Sequence, residues 1–331
     1  MFLRRRTIIG KIKRVIRVAW SYLRAYLFYH GWSSYVWRDG KTPLKVGNLR
    51  FCADPFLFHW QGTNWLFYES LDKKGKGYIG CYKEETGKWV QQGKVLEETW
   101  HLSYPQVFEE DGKVYMIPES CDFGKGDVSL YEAEDSLKKW KKVAKLIDRP
   151  FADSTIVKHD GHWYMACYTI PPKETAELWH APSLFGPWER HPMWDKINQS
   201  RRLRRCGGSF IIREGKLYRV AQDCNSVLYG KRLFAVEVEE ISPTVYKEGK
   251  ATLIYDRHMP PYNYGHTYNE IMVNDKRISV VDVHHDSFKW PHQIVVDVLK
   301  GLVGKLGRKG FNAERRRSRE AEGSGGVEEG F

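Results

Sequence analysis

Five segments of the chain repeat one pattern, and a repeat of this kind constrains the fold more than any single residue does. They are "DPFLFHWQGTNWLFYES" from residue 54, "YPQVFEEDGKVYMIPES" from 104, "DSTIVKHDGHWYMACYT" from 153, "GSFIIREGKLYRVAQDC" from 208 and "NEIMVNDKRISVVDVHH" from 269. Each opens on a small or polar residue, runs through a short apolar stretch, turns, and returns through an aromatic-rich stretch that closes on polar residues. The turns read Gly62-Thr63, Asp111-Gly112, Asp160-Gly161, Glu214-Gly215 and Asn274-Asp275, a consistent hairpin signal.

A second strand pair follows each of the first four hairpins, in "YIGCYKEETGKWVQQGKVL", "VSLYEAEDSLKKWKKVAKLI", "ELWHAPSLFGPWERHPM" and "RLFAVEVEEISPTVYKEGKATLI". Four strands per unit at a period of about fifty residues is a propeller blade rather than half of a sandwich. The fifth hairpin has no such pair downstream, where "PHQIVVDVLKGLVGKLGRK" reads as helical. Upstream, "SSYVWRDGKTPLKVG" has no blade of its own, so these N-terminal strands are expected to close the last blade. The expected fold is therefore all-β: a five-bladed β-propeller over 31–290, with a basic helix at 1–30 and a helical, then disordered, tail at 291–331.

In a blade the innermost strand leaves one face of the ring and its antiparallel neighbour returns to it. Asp54, Tyr104, Asp153, Gly207 and His266 come to that face from strand starts; Glu69, Glu119, Gln222, Asp223, Asp282, His284 and His285 come from strand ends. Acids at strand ends often only cap turns. That explanation weakens when the position is acidic in blade after blade, because clustered like charges repel and cost stability without a use.

The formal charge of +12 sits mostly at the termini: nine Lys and Arg precede the first acid, Asp39, and Arg315, Arg316, Arg317 and Arg319 cluster near the end. The middle is near neutral, so no nucleic-acid partner is expected. The six cysteines, Cys52, Cys81, Cys121, Cys167, Cys206 and Cys224, form no CxxC pair and read as free thiols. Charges at Lys11, Lys13, Arg14, Arg17 and Arg24 break the N-terminal segment too often for a spanning helix or a secretory signal. Ile8, Ile12, Val15, Ala19, Leu23 and Tyr26 recur at three- and four-residue steps, as in a helix lying on an anionic cytoplasmic leaflet. The alternative is a helix packed on the rest of the protein; the excess of cations favours the membrane surface. The expected location is cytoplasmic, peripheral at the inner membrane face. The Gly-rich end, "EAEGSGGVEEGF", reads as disordered.

The motifs "ADPFLF", "FYES", "HLSYPQVFEEDGKVYMIPES", "ADSTIV", "GPWERHP", "LYRVAQDC" and "GHTYN" resemble the N-terminal domain family of glucosamine inositolphosphorylceramide transferase. The likeness runs from about Val46 to His285 and extends, more distantly, to the five-bladed propellers of glycoside hydrolase family 43. The resemblance implies a carbohydrate or sugar-phosphate substrate. In the hydrolases a base Asp opens blade one, a second Asp in blade three tunes its partner, and an acid Glu opens blade four. An inverting pair of this kind works across a gap of roughly 6.5–9.5 Å. Asp54 matches the base and Asp153 the tuner; "RRCGGSF" puts Gly207 where the acid belongs. Glu119, Asp223 or His284 can supply a proton from a neighbouring blade, and spacing does not select among them.

A donor with a phosphate leaving group needs no such acid, whereas an ordinary glycoside loses general-acid help of roughly 10²–10⁴-fold. The motif then suits a glycosyltransferase of surface-polysaccharide or glycolipid assembly, with Asp54 or Asp153 as base and Glu119 beside them. Glu69, Tyr104, Arg219, Gln222, Asp223, His266 and His284 form the expected substrate-binding set. Arg201, Arg202, Arg204 and Arg205 can pair with a phosphate, although such runs are more commonly solvated loops. The alternatives are a furanosidase-like hydrolase with a relocated acid and a non-catalytic glycan-binding propeller, with Trp65, Tyr104, Trp163 or Tyr264 stacking on sugar faces. No cofactor is expected; His284 and His285 lie beside Asp286, but adjacent strand residues face opposite ways. The hydrolase likeness implies an axial calcium or a water-filled channel.

Overall fold

The apolar runs of the repeats become strands whose two faces are both buried, which is why they read as continuous rather than alternating. The computed structural model describes residues 28–38, 42–120, 125–170, 174–198, 200, 202–223 and 230–288. The expected helices at 1–30 and 291–331 lie outside the described residues, apart from the first residues of a strand at 28–30. Among those described, the one helical element is a 3₁₀ turn, Lys196–Asn198.

Strands β1 (Phe28–Arg38) and β2 (Leu44–Lys45) come first and belong to the last blade. Blade one is β3 (Ala53–Trp60), β4 (Thr63–Leu71), β5 (Gly77–Glu85) and β6 (Lys88–Leu96); blade two is β7 (Ser103–Glu110), β8 (Lys113–Glu119), β9 (Val128–Ala133) and β10 (Trp140–Ile147). Blade three is β11 (Ala152–His159), β12 (His162–Tyr168), β13 (Ala176–Ala181) and β14 (Glu189–Arg190). Blade four is β15 (Ile211–Arg213), β16 (Lys216–Gln222), β17 (Arg232–Ile241) and β18 (Tyr246–Asp256). Blade five pairs β19 (Tyr268–Val273) and β20 (Lys276–Phe288) with β1 and β2, in the order β19-β20-β1-β2. The fold is the five-bladed propeller that the repeat predicts, closed by N-terminal strands.

All five inner hairpins turn through two residues of positive φ, as the right-handed strand twist favours: Gln61-Gly62, Asp111-Gly112, Asp160-Gly161, Glu214-Gly215 and Asn274-Asp275. The first turn is therefore one residue earlier than the expected Gly62-Thr63, because Gly62 takes the second turn position and Thr63 already begins β4.

The hydrophobic core is divided among the five seams between blades. Phe67, Ile79 and Cys81 meet Val107 and Met116 between blades one and two, while Leu66, Tyr68 and Tyr82 meet Ile278 and Val280 between blades five and one. Alternation of period two thus sends neighbouring residues of one strand into different seams. Side-chain amides tie the inner strands: Gln106 accepts from the Ile156 amide at 2.7 Å and donates to its carbonyl at 2.9 Å. Asn269 accepts from the Leu57 amide at 3.1 Å and donates to Ser209 at 2.9 Å. Cys52, Cys81, Cys167 and Cys206 are free and buried.

Candidate functional site

Three inner strands begin with the same irregularity. Pairing steps from Ala53 opposite Glu69 to Phe56 opposite Phe67, from Ser103 opposite Glu119 to Gln106 opposite Ile117, and from Ala152 opposite Tyr168 to Thr155 opposite Ala166. Each step contains a bulged residue in the left-handed region: Asp54 (φ 47°), Tyr104 (φ 47°) and Asp153 (φ 48°). Non-glycine residues there carry strain of about 1–3 kcal/mol unless the surroundings over-determine them. Here the surroundings do, and the bulge re-aims each side chain onto a neighbouring blade.

Asp54 meets blade five. Thr267 donates its hydroxyl to Asp54 Oδ1 at 2.6 Å, His266 Nε2 lies 3.1 Å from the same oxygen, and His266 Nδ1 lies 2.8 Å from Asp282 Oδ2. Asp282 also accepts the backbone N–H groups of Asp54, His266 and Thr267 at 2.9, 3.0 and 2.9 Å. Burial pushes the Asp54 carboxyl up, but the His266 imidazole, the Thr267 hydroxyl and the more distant Arg205 outweigh it and hold the group below the usual carboxylate range. Asp54, His266 and Asp282 offer ligand atoms within 4.8 Å of one another. They do not fit a calcium ion, a hard cation that takes six to eight oxygen ligands: one donor is an imidazole nitrogen, and the Asp282 oxygens already serve three backbone amides.

Asp153 meets blade four. Arg205 grips it through Nε on Oδ2 and Nη2 on Oδ1, and Gln222 Nε2 donates to Oδ2 at 2.9 Å while also reaching the Cys206 carbonyl at 2.7 Å. From blade two, Glu119 accepts the Asp153 amide at 2.9 Å. Burial and then the charge of Asp153 keep the Glu119 carboxyl well above its usual range. Burial likewise drives Glu69 up to about 7, opposed by a hydrogen bond from His101 and reinforced by the charge of Asp54. The tautomer of His101 is fixed: Nδ1 accepts the Gly77 amide at 3.0 Å, so Nε2 carries the hydrogen toward Glu69 Oε1, 3.0 Å away.

The structure thus brings together Asp54, Glu69, Glu119, Asp153, Gln222, Asp223 and His266. Two of the expected binding residues, Tyr104 and Arg219, are fully buried. Tyr104 is held by protein partners: its hydroxyl accepts the Gly208 amide at 2.7 Å and contacts Thr155 of blade three at 2.9 Å. Arg219 is also fully buried, with Nε on Glu248 at 2.7 Å and Nη2 on the Leu203 carbonyl at 2.9 Å. Trp163 is buried in the seam of blades two and three and presents no face to a sugar. His284 lies against Trp32, whose ring also packs on His266 at 4.1 Å.

Thr267 and His101 were missed, though both stand in quoted motifs, "GHTYN" and "HLSYPQ". Arg232 carries no local signal; strand pairing brings it to Asp223. Gly207, where the sequence comparison expects the acid to be missing, is tightly packed: a Cβ would lie 2.7 Å from Leu233 Cδ2 and 2.9 Å from Gln222 Cγ.

The family model described as "Glucosamine inositolphosphorylceramide transferase 1, N-terminal" matches residues 45–282. The chain belongs to this family. Among proteins similar to it, glucosamine inositolphosphorylceramide transferase 1 of Oryza sativa subsp. japonica is 34% identical over 217 residues, which are 62% of this chain and 29% of the rice protein. The Arabidopsis thaliana protein of the same name is 35% identical over 207 residues, 60% of this chain and 27% of that one. The chain therefore spans under a third of the length of these relatives. A family 43 β-xylosidase/α-arabinofuranosidase from a compost microbial metagenome, solved with xylotriose, matches with a TM-score of 0.50 at 12% identity, covering 72% of this chain and 90% of that one. That likeness concerns the fold.

Proposed function

We propose that this propeller carries out glycosyl transfer from a phosphate-activated sugar in the assembly of a surface polysaccharide or glycolipid. The observation that carries the reading is the pair of acids at equivalent bulges, Asp54 and Asp153, held by opposite means at one mouth. Asp153 has both oxygens engaged by Arg205 and Gln222, so its part is to fix Arg205. Asp54, kept ionised, is left as the base. In the reaction the acceptor oxygen bonds to the anomeric carbon, the bond from that carbon to phosphate breaks with its electron pair on phosphate, and Asp54 takes the hydroxyl proton. The names of the relatives support transfer as the reaction class. The basic segment 1–30, most of which lies outside the described residues, is proposed to hold the protein on the inner membrane face.

The test is incubation of the full chain with radiolabelled nucleotide sugars and polyprenyl-phosphate sugars in the presence of a polar-lipid extract, with Asp54→Asn as control. Label appearing in lipid or polymer only with the unaltered protein supports transfer; release of reducing ends from neutral oligosaccharides overturns it. One observation favours the second reading, hydrolysis: Glu119 keeps its proton beside Asp153, as a relocated general acid must.

A further inference from the structure

Blade four holds three guanidinium groups in a row. The Gln222 amide donates to the Arg205 carbonyl at 2.9 Å and the Asp223 amide to the Arg232 carbonyl at 3.0 Å, so Arg205, the pair Gln222-Asp223, and Arg232 lie on adjacent chains. Arg202 approaches Asp223 from the preceding loop, with Nε 3.2 Å from Oδ1 and Nη2 2.6 Å from Oδ2. Arg232 places Nε and Nη2 3.0 and 2.8 Å from Asp223 Oδ2. Arg205 uses the same Nε and Nη2 edge on Asp153.

The acids are deep and the cations shallow. The side chains of Asp223 and Asp153 are 1% and 4% exposed, against 45%, 30% and 23% for Arg202, Arg232 and Arg205. Each buried carboxylate therefore acts as a post that fixes the long arginine stems in advance, removing much of the ordering cost that usually weakens a surface arginine as a ligand. The Nη1 ends of Arg202 and Arg232 make no hydrogen bond among the described residues. The group has three positive charges on two negative ones, next to Asp54 and Glu119, whose carboxyl groups both feel Arg205.

We propose that Arg202, Arg205 and Arg232 form a preorganised clamp for the phosphate or pyrophosphate group of a substrate at the mouth. Planar guanidinium groups match the oxygens of such an anion, and a carboxylate on the far edge holds each in plane. The proposal rests on the reading above only in making the anion part of a substrate; it requires binding, not turnover.

The test is isothermal titration calorimetry of the full chain with inorganic pyrophosphate and, separately, with a glycerol phosphodiester, at low and moderate salt. Arg202→Gln and Arg232→Gln are used singly, because each leaves the other arginine on Asp223 and so avoids an unpaired buried acid. Lys216→Gln, on the opposite, turn-bearing face, is the control. Binding of either anion that weakens with salt, falls roughly tenfold or more in each arginine variant and is unchanged in the control supports the clamp. The better-bound anion distinguishes a diphosphate donor from a phosphodiester-linked lipid headgroup. Absence of binding to both, or equal affinity in the arginine variants, overturns it. Thermal unfolding of each variant confirms that a loss is not a loss of fold. Pyrophosphate binding without transfer would sink the transferase reading alone, and transfer without an arginine effect would sink the clamp alone.

Discussion

Glu119 accepts the backbone N–H of Asp153 at 2.9 Å across the seam of blades two and three, and Asp282 does the same for Asp54 across the seam of blades five and one. A strand-end carboxylate of one blade thus caps the strained strand start of the next. The polar ends of Asp282 and Glu119 are therefore joints of the ring as well as lining of its mouth.

Burial and the charge of Asp153 favour the protonated form of Glu119, so Glu119→Gln mimics that neutral form. Its stability is expected to fall by no more than about 1 kcal/mol by urea denaturation, since Gln still accepts the Asp153 amide. Under the transfer reading activity survives. Under the hydrolytic reading cleavage falls by roughly 10²–10⁴-fold, so one variant separates the two.

Asp54→Asn keeps the shape of the side chain and suits the left-handed backbone, which Asn tolerates well. The variant is expected to fold and to lose transfer by roughly a hundredfold or more. Unchanged turnover in the radiolabel assay would remove Asp54 from the role of base.

Glu69 gives a pH signature. The folded state holds its proton up to about 7, whereas an unperturbed glutamate loses it near 4.5. Between those values the folded state binds more protons than the unfolded one, so the contribution is complete below about pH 4.5, declines as pH rises to about 7, and is level beyond. The slope approaches about 1.4 kcal/mol per pH unit for one proton. Chemical denaturation from pH 4.5 to 8 is expected to show this decline reduced in Glu69→Gln. An identical pH profile in the variant would mean that Glu69 ionises as an ordinary carboxylate.

The five blades were legible because hairpin turns and apolar runs are local and recur in register. Asp54, Asp153 and Glu119 were legible for a related reason: the repeat places them at strand ends on one face. What that logic does not contain is the partner of each group. Tyr104 occupies the bulge equivalent to those of Asp54 and Asp153, yet its ring is buried in the core and only its hydroxyl reaches the neighbouring blades. Arg219 looks like a ligand-binding cation in "LYRVAQDC", but strand alternation sends it inward to Glu248. Arg232 reaches the mouth only because β17 pairs with β16, a long-range fact.

The proposed membrane contact depends on cations at Lys11, Lys13, Arg14 and Arg17. With each worth about 1 kcal/mol near an anionic surface, replacing all four by Gln is expected to reduce co-sedimentation with phosphatidylserine vesicles on the order of a hundredfold or more. Equal sedimentation of the variant, or indifference of the parent to added salt, would rule out this anchor.

Gly207 shows why a carboxylate is not readily introduced at the start of blade four. A Cβ there would press on Leu233, on Gln222 and, at 3.0 Å, on the His266 carbonyl. Gln222 is the side chain that holds Asp153, so a glutamate at this position disturbs the second acid in the act of adding a third. Gly207→Glu is therefore expected to lose about 1–3 kcal/mol of stability and to gain no cleavage of neutral oligosaccharides. Gly208→Ala is more severe: its backbone is left-handed (φ +145°), and the added Cβ would lie 1.7 Å from the Tyr268 carbonyl oxygen. Urea denaturation and a reducing-end assay check both points. A stable Gly207→Glu protein that cleaves arabinan would show that blade four yields where the packing says it is tight, and would favour the hydrolytic reading.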